Sequence, residues 1–281
     1  MSDTTEVLGP TRRHLPFGLR PADTLALAVV ALLIVFIVVP GLIATHDPLL
    51  PDSGSILQGP SGSHVFGTDY LGRDMFSRVV HGTGRTLLGS LIAVVIGLGV
   101  GSGLGLIAAY AGGLVDSIVS RIVDVLLSIP GLLLSMVLVT ALGFGRLNAA
   151  VAVGIASVAV FTRLMRSEVL TVRNLPFVES SRHIGADTKR LLLHHVLPNS
   201  YSAVLSLTAL QFGASIIWIA SLSFLGFGAP PPEPEWGLLV AEGREYIVSS
   251  PWLVVFPALV IVVSVVSISH IANIVRNNAS R

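Results

Sequence analysis

The sequence predicts an all-α, polytopic membrane protein with six transmembrane helices. Only 12% of its 281 residues are charged, which is about half of the roughly 25% usual in soluble proteins, and the mean hydropathy is +0.82. A soluble core of this size could not bury so much apolar surface. The absence of cysteine excludes disulfides, thioether-bound haem and thiolate metal sites. The net charge of +1 gives no indication of a nucleic-acid partner.

The first part of the chain divides into a tail, a first span and a polar segment. Residues 1–23 form a polar tail with no cleavable signal pattern. Residues 24–45 carry no charge and predict the first transmembrane helix. Residues 46–85 are polar and rich in proline and glycine, which indicates irregular chain outside the membrane.

Within this polar segment, Gly67–Arg85 has the pattern of a helix. Asp69 and Arg73, and then Asp74 and Arg78, lie four residues apart with the acid first, which is the favourable order in a helix. Apolar residues lie between these charges, so we expect an amphipathic helix along the membrane surface. An ordinary extracytoplasmic loop is the alternative.

Residues 86–275 predict a core of five further spans. The second span, Thr86–Val115, has a glycine at every fourth position from Gly97 to Gly105, a spacing that lets helix backbones approach closely in lipid. A tight turn is expected at Gly112–Gly113. The third span ends near Gly143 and should be kinked or unwound at Pro130.

The remaining spans are separated by a long polar stretch and a proline-rich loop. The uncharged run Leu147–Thr162 is too short for a bilayer, so the fourth helix must continue to Arg163 or Arg166, whose side chains can reach the interface. The fifth span occupies about Tyr201–Phe227. Ala229–Gly237 must then be extended because of its prolines. The last span runs from about Pro251 to Asn273, before a short tail at 276–281.

The distribution of arginine and lysine predicts the orientation. Six spans put both termini on one side, and twelve of the seventeen basic residues lie on that side. The positive-inside rule then places both termini in the cytoplasm. The five basic residues on the other side are Arg73, Arg78, Arg85, Arg146 and Arg244.

The stretch Leu175–Asn199 is the longest polar interruption on the cytoplasmic side. It carries the only lysine, Lys189, and it is divided into short helical pieces by Pro176 and Gly185. Phe177 and Val178, with Ile184 before the glycine, give it a small apolar face. Such a helix fits a groove on a partner protein. A solvated loop between two spans is the alternative on spacing alone.

Several motifs resemble those of ABC-importer permeases. The stretch is similar to their cytoplasmic EAA loop, with Glu179, Ser180 and Ser181 at the EAA positions, Gly185 at the glycine, and Leu197 and Pro198 at its end. His195 stands where many families have isoleucine, which resembles the peptide and nickel subgroup. Other segments echo the same subgroup, close to the C-type subunit of dipeptide and oligopeptide importers: His64–Gly89, Tyr110–Asp124 and Ser223–Gly237. The tail Ser267–Arg281 departs from it.

The resemblance implies a type I ABC importer permease in the cytoplasmic membrane. It implies a second permease subunit, two ABC ATPases, an extracytoplasmic substrate-binding protein and surrounding lipid as partners. A coupling loop, residues 169–200, would contact the ATPase through Phe177, Val178, Glu179, Ser180, Ser181, Ile184, Gly185, Leu197 and Pro198. Di- or oligopeptides are the expected cargo, with nickel or a metal chelate as the alternative.

No catalytic, cofactor or metal residue is predicted. A phosphate-binding loop needs Gly-Lys-Ser/Thr, whereas Lys189 follows Thr188 and precedes Arg190. His194 and His195 are adjacent and point about 100° apart on a helix, so they cannot readily share a metal. An intramembrane protease would need paired catalytic groups inside the spans, and a secondary transporter would need an ionisable group at midplane. Neither pattern is evident in the predicted spans.

Overall fold

A computed structural model of the protein describes residues 21–183 and 191–279, and these residues fold into helices without any extended strand. Within these described residues, five helices are long and apolar enough to cross a membrane, and a sixth span results if the bent pair Gly113–Ser128 and Gly131–Leu142 is counted as one. The helices, in chain order, are α1 (Pro21–Val38), α2 (Pro40–Ile43), α3 (Met75–Ala111), α4 (Gly113–Ser128), α5 (Gly131–Leu142), α6 (Arg146–Arg173), α7 (Pro176–His183), α8 (Leu197–Phe224), α9 (Trp236–Gly243) and α10 (Trp252–Ala279).

The pair α3 and α6 forms the centre of the bundle, and glycine makes their close approach possible. A β-carbon on Gly101 would lie 2.6 Å from both Phe161 Cβ and the Val158 carbonyl, and one on Gly105 would lie 2.5 Å from the Thr162 carbonyl. The backbones of the two helices are therefore in direct contact at these glycines. The predicted role of the glycine repeat in helix packing is confirmed.

The third predicted span is broken, and more sharply than a kink. The helix α4 ends at Ser128, and α5 begins at Gly131 after a bend of 98°. Pro130 cannot continue the preceding helix because it lacks the N–H that the hydrogen-bond ladder needs. The expected turn at Gly112–Gly113 is also present, with φ of 63° and 53° at the two glycines.

The fourth and fifth spans extend further toward the coupling loop than their apolar runs. The helix α6 continues from Arg146 to Arg173 as one element, so it passes both Arg163 and Arg166. The helix α8 starts at Leu197, four residues before the predicted start of the fifth span. The last candidate span, Trp252–Ile274, ends one residue after its predicted end, and its helix continues to Ala279.

The predicted surface helix over Gly67–Arg85 is wrong. Residues 67–74 form tight turns in which Gly72, at φ 78°, packs so closely on Asp52 that a β-carbon would lie 1.8 Å from its carbonyl oxygen. The long helix α3 then begins at Met75, with the Asp74 carboxylate accepting a hydrogen bond from the Ser77 N–H as its cap. The charge spacing alone could not reveal this, because acid and base four residues apart also fit a turn that caps a helix.

The proline-rich loop before α9 inserts into the bundle. Trp236 is completely buried, and its ring N–H donates to the Val79 carbonyl at 3.1 Å. Glu235 caps α9 by accepting from the backbone N–H groups of Gly237 and Leu238, both at 3.2 Å. The start of α9 is thus attached to α3, and Trp236 and Gly237 are helical although the sequence predicted an extended chain through Gly237.

Candidate functional site around helix α7

Helix α7 follows α6 after a two-residue turn. The helix α6 ends at Arg173. The Asn174 N–H then donates to the Thr171 carbonyl at 3.3 Å, and the Leu175 N–H donates to the Val172 carbonyl at 3.0 Å. Pro176 begins α7, where its fixed φ fits and its missing N–H removes no helical bond. The turn is short and hydrogen-bonded, so α7 is closely tied to the end of α6.

The two apolar residues at the start of α7 have opposite surroundings. Val178 is 2% exposed and belongs to a core cluster with Phe161, Met165 and Val196. Phe177 is 44% exposed. Val178 therefore holds α7 against the body of the protein, and Phe177 is an apolar side chain exposed at the surface of α7.

The EAA positions lie on the last two turns of α7. Ser180 is exposed, and Ser181 is half-buried with its hydroxyl donating to the Phe177 carbonyl at 2.9 Å. The backbone of Glu179 lies in α7, but its side chain is outside the described part of the protein. Ile184 and Gly185 lie outside the described residues as well.

The return arm of the loop packs beside α7. A π-helical turn, Leu192–Val196, leads directly into α8, and Val196 is 2% exposed in the same core cluster as Val178. The rings of Phe177 and His195 lie 6.4 Å apart. Leu197 is half-buried and Pro198 is exposed at the start of α8. The described site residues are thus brought together at one end of the bundle.

Three arginines of α6 form hydrogen bonds or ion pairs with the neighbouring helices α3 and α4 on the side of the bundle near α7. Arg173 donates to the Ala109 carbonyl in the last turn of α3 at 2.7 Å, where a cation suits the helix dipole. Arg166 binds Asp116 of α4 through both carboxylate oxygens, and Arg163 binds Asp124 at 2.6 Å. The sequence indicated only that Arg163 and Arg166 reach the interface. Their partners are set by the packing of α4 on α6.

A buried ion network lies at the opposite end of α3. The Asp69 carboxylate accepts from Arg73 at 2.7 Å and from Arg78 at 2.5 Å, and Arg78 also donates to Glu242 of α9 at 2.9 Å. The side chains of both arginines are at most 2% exposed. Arg78 and Ala109 are about 46 Å apart along α3, from the rise per residue. This exceeds a hydrocarbon core of about 30 Å, so the network and α7 lie near opposite ends of a helix long enough to cross a membrane.

One His and Asp group beside this network could not be predicted from the sequence. The potential ligand atoms of His46, His64 and Asp74 lie within 4.8 Å of one another, and no other such group occurs among the described residues. The three residues are separated by up to 28 positions, so no local motif connects them. The spacing around Asp74 predicted Arg78 as its partner rather than histidine.

Comparison with known proteins gives a family match and several similar chains. A family described as binding-protein-dependent transport system inner membrane component matches residues 101–281. The chain is 41% identical over 226 residues to a glutathione transport system permease protein, GsiD, of Pectobacterium atrosepticum, covering 80% of this chain and 75% of that one. It is 40% identical over 258 residues to a dipeptide transport system permease protein, DppC, of Alkalihalophilus pseudofirmus, covering 89% and 84%.

Two further comparisons agree with these. A probable D,D-dipeptide transport system permease protein, DdpC, of Escherichia coli is 38% identical over 254 residues, covering 90% of this chain and 85% of that one. Among solved structures, a chain of the MetNI methionine ABC transporter in inward-facing conformations has a TM-score of 0.61 at 17% identity, covering 74% of this chain and 98% of that chain. The structural likeness shows the shared fold.

Proposed function

Because the chain belongs to the family of binding-protein-dependent transport system inner membrane components, we propose that it is a permease subunit of an ATP-driven importer for short peptides. The observation that carries the proposal is the 40% identity, over 89% of the chain, to a protein named as a dipeptide permease. The fold is that of an ABC importer permease, as the sequence predicted. The other relatives compared are named for glutathione and D,D-dipeptides, which are also small peptides.

The partners follow from the kind of transport system. The family name refers to a transport system that depends on a binding protein, which we take to be a receptor on the outer side. We assign a second permease subunit, two ATPases and such a receptor as partners. Long apolar side chains on α1, α4 and α5 are exposed, among them Leu25, Leu114 and Val137 at 67%, 76% and 67%. Apolar side chains exposed at this density would be unfavourable in water. We therefore assign these faces to contact with lipid and with the second permease.

The expected orientation places α7 in the cytoplasm and the ion network outside. Two of the five basic residues assigned to the outer side, Arg73 and Arg78, are buried and paired with Asp69 and Glu242. The proposal of cytoplasmic termini rests on the positive-inside rule, with twelve basic residues on the side of the termini against five on the other side.

Helix α7 is suited to pass movement from an ATPase into the spans. Its exposed surface, including Phe177 and Ser180, would dock in a groove of the ATPase. Its buried side, through Val178, belongs to a cluster that also contains residues of α3, α6 and α8. The expected Val178–Ile184 segment would therefore shift these helices together when the ATPases close. The shift requires that α7 docks differently in the two ATPase states.

ATP hydrolysis belongs to the partner subunits. The family is a membrane component of transport systems, and the chain supplies the path and the coupling surface rather than a catalytic group. Coupling between the receptor and the ATPases must pass through the spans, because the two partners contact opposite membrane surfaces.

Reconstitution of the complete complex in vesicles tests the proposal. The chain, its sister permease and two ATPases should hydrolyse ATP faster when a peptide-loaded receptor is added on the outer side, and labelled dipeptide should accumulate inside. Unlabelled dipeptide should compete, and Ni²⁺ should not. Uptake that is driven by a proton gradient without ATPases, or cleavage of the peptide by the isolated chain, would contradict the proposed function.

A further inference from the structure

The side chains of His46, His64 and Asp74 form a compact ligand set at the outer start of α3. Asp74 Oδ1 lies 3.0 Å from His64 Nδ1 and 3.9 Å from His46 Nδ1. The two imidazole rings lie side by side, with centroids 4.7 Å apart. Both rings thus present a nitrogen toward the same carboxylate oxygen.

These separations fit a bound cation as well as the hydrogen bond that joins the His64 ring to Asp74 at 3.0 Å. Ligands held at about 2.1 Å around a tetrahedral metal are roughly 3.4 Å apart, and the two nitrogen–oxygen distances of 3.0 and 3.9 Å lie on either side of this value. The 3.9 Å gap from His46 to Asp74 is too long for a hydrogen bond but can be bridged by an ion.

The surrounding residues hold the carboxylate in position. Asp74 is buried, and its second oxygen, Oδ2, accepts from the N–H and the hydroxyl of Ser77 at 2.8 and 2.7 Å. This leaves Oδ1 directed at the histidines. The Ser77 hydroxyl also accepts from the His46 backbone N–H at 3.0 Å. Such outer contacts orient metal ligands and fix their geometry.

The site is also accessible to solvent on one side. The side chain of His46 is 43% exposed, that of His64 is 12% exposed and that of Asp74 is 1% exposed. The Thr45 hydroxyl lies 3.0 Å from His46 Nδ1 and can supply a further oxygen, or leave the position to water. An ion could therefore enter from the surface and be held by three protein ligands.

We propose that His46, His64 and Asp74 bind one divalent transition-metal ion. Two imidazole nitrogens and one carboxylate oxygen are the donor set preferred by Zn²⁺, Ni²⁺ and Co²⁺ rather than by Mg²⁺ or Ca²⁺. The ion joins the segment after α2, the turn at residue 64 and the residue that caps α3. The bound ion would thereby attach the segment between α2 and α3 to the start of α3. The proposal does not depend on the proposed transport function.

Zinc titration of the full chain tests this site. The protein is purified in detergent through a tag without histidine, stripped with a chelator, and titrated with Zn²⁺; Co²⁺ bands in the visible spectrum report ligation by nitrogen and oxygen. We expect one Zn²⁺ per chain at this site and a rise in apparent Tm on binding. His46→Ala and His64→Ala should each weaken binding by at least about tenfold, and Ser77→Ala by about tenfold.

Controls separate this site from the other histidines. His81→Ala leaves the ligand set intact, because its Nδ1 lies beside the Ser77 carbonyl at 2.9 Å and not beside Asp74. The double variant His194→Ala/His195→Ala removes the adjacent pair near α7. Both controls should retain the zinc site. Identical titrations of the wild type and the His46→Ala/His64→Ala double variant would overturn the proposal, as would failure of the wild type to bind Zn²⁺. His46 is exposed in a loop, so its removal alone leaves the core intact.

Discussion

At the scale of single residues, Phe177 and Val178 show how one helix can serve both the protein and a partner. The two residues are adjacent, yet Phe177 is 44% exposed and Val178 is 2% exposed. The side chain that anchors α7 is thus different from the one available for docking. Substitution of each should affect a different property of the complex.

We expect Val178→Asp to destabilise the isolated chain by roughly 3 kcal/mol, because an unpaired charge would enter an apolar cluster. Phe177→Ala should leave the apparent Tm nearly unchanged but reduce receptor-stimulated ATP hydrolysis by at least about tenfold, which corresponds to roughly 1.4 kcal/mol of docking energy. Thermal unfolding and an ATPase assay of the reconstituted complex measure the two effects. A Phe177→Ala complex with normal stimulation would exclude the docking role of this side chain.

Glu235 should make stability depend on pH. Burial raises the pKa of this carboxyl above its ordinary value of 4.5, against hydrogen bonds from Ser223, the Gly237 N–H and Thr86 that favour the charged form. The folded protein then holds a proton that the unfolded chain releases, so stability should fall as pH rises above about 4.5 toward the folded-state pKa. Apparent Tm of the wild type and Glu235→Gln, at about pH 5 and about pH 8, measures this dependence.

The Glu235→Gln variant should lose less stability than the wild type across this pH interval, since its side chain does not titrate. Glu233→Gln is the matched control because the Glu233 side chain is 51% exposed two residues earlier. It should follow the wild type. If the apparent Tm of the wild type and that of Glu235→Gln changed equally between the two pH values, titration of Glu235 would not be the cause.

At the scale of helices, the contact between α3 and α6 depends on which glycines face it. A β-carbon on Gly101 would meet Phe161 and Val158, whereas one on Gly103 would have no atom within 4 Å. We expect Gly101→Leu to destabilise the protein by roughly 1–3 kcal/mol or more, because the added side chain must push the helices apart. Gly103→Leu, the matched control, should be close to neutral. Folded yield and apparent Tm in detergent measure this, and equal losses in both variants would argue against specific packing.

The ends of the helices are determined by different kinds of contact. Gly112 and Pro130 end α3 and α4 through backbone conformation, which is a local property. The attachment of α4 to α6 instead depends on Arg166 with Asp116 and Arg163 with Asp124, pairs that lie 50 and 39 residues apart. Local signals therefore predicted where the helices stop, but not how they are joined.

At the scale of the whole molecule, the orientation in the membrane can be measured directly. The chain has no cysteine, and both Ser63 and Ser180 are exposed. We expect Ser180→Cys to react only with a membrane-impermeant thiol reagent applied from the cytoplasmic side. Ser63→Cys should react only from the outer side. Labelling of intact cells and of inverted vesicles compares the two, and the reverse pattern would remove the docking role proposed for α7.

The sequence by itself determined the membrane class, the helical spans, the glycine contact and the breaks at Gly112 and Pro130. These depend on hydropathy, on repeat spacing and on backbone preferences, each of which is carried by neighbouring residues. The family motifs were also readable because they are contiguous. For the same reason, Asp69 and Arg73 looked like a helical pair although they lie in a capping turn.

Only the tertiary structure decided which side chains meet. It joins Arg78 to Glu242 across 164 positions, buries Trp236 beside Val79, and brings His46 and His64 to Asp74. It also turns Val178 inward and leaves Phe177 outside. Such pairings depend on how the chain returns through the bundle. Burial of apolar surface drives the packing, and each buried charge must then meet a partner because an unpaired buried charge is costly. No local pattern in the sequence carries that information.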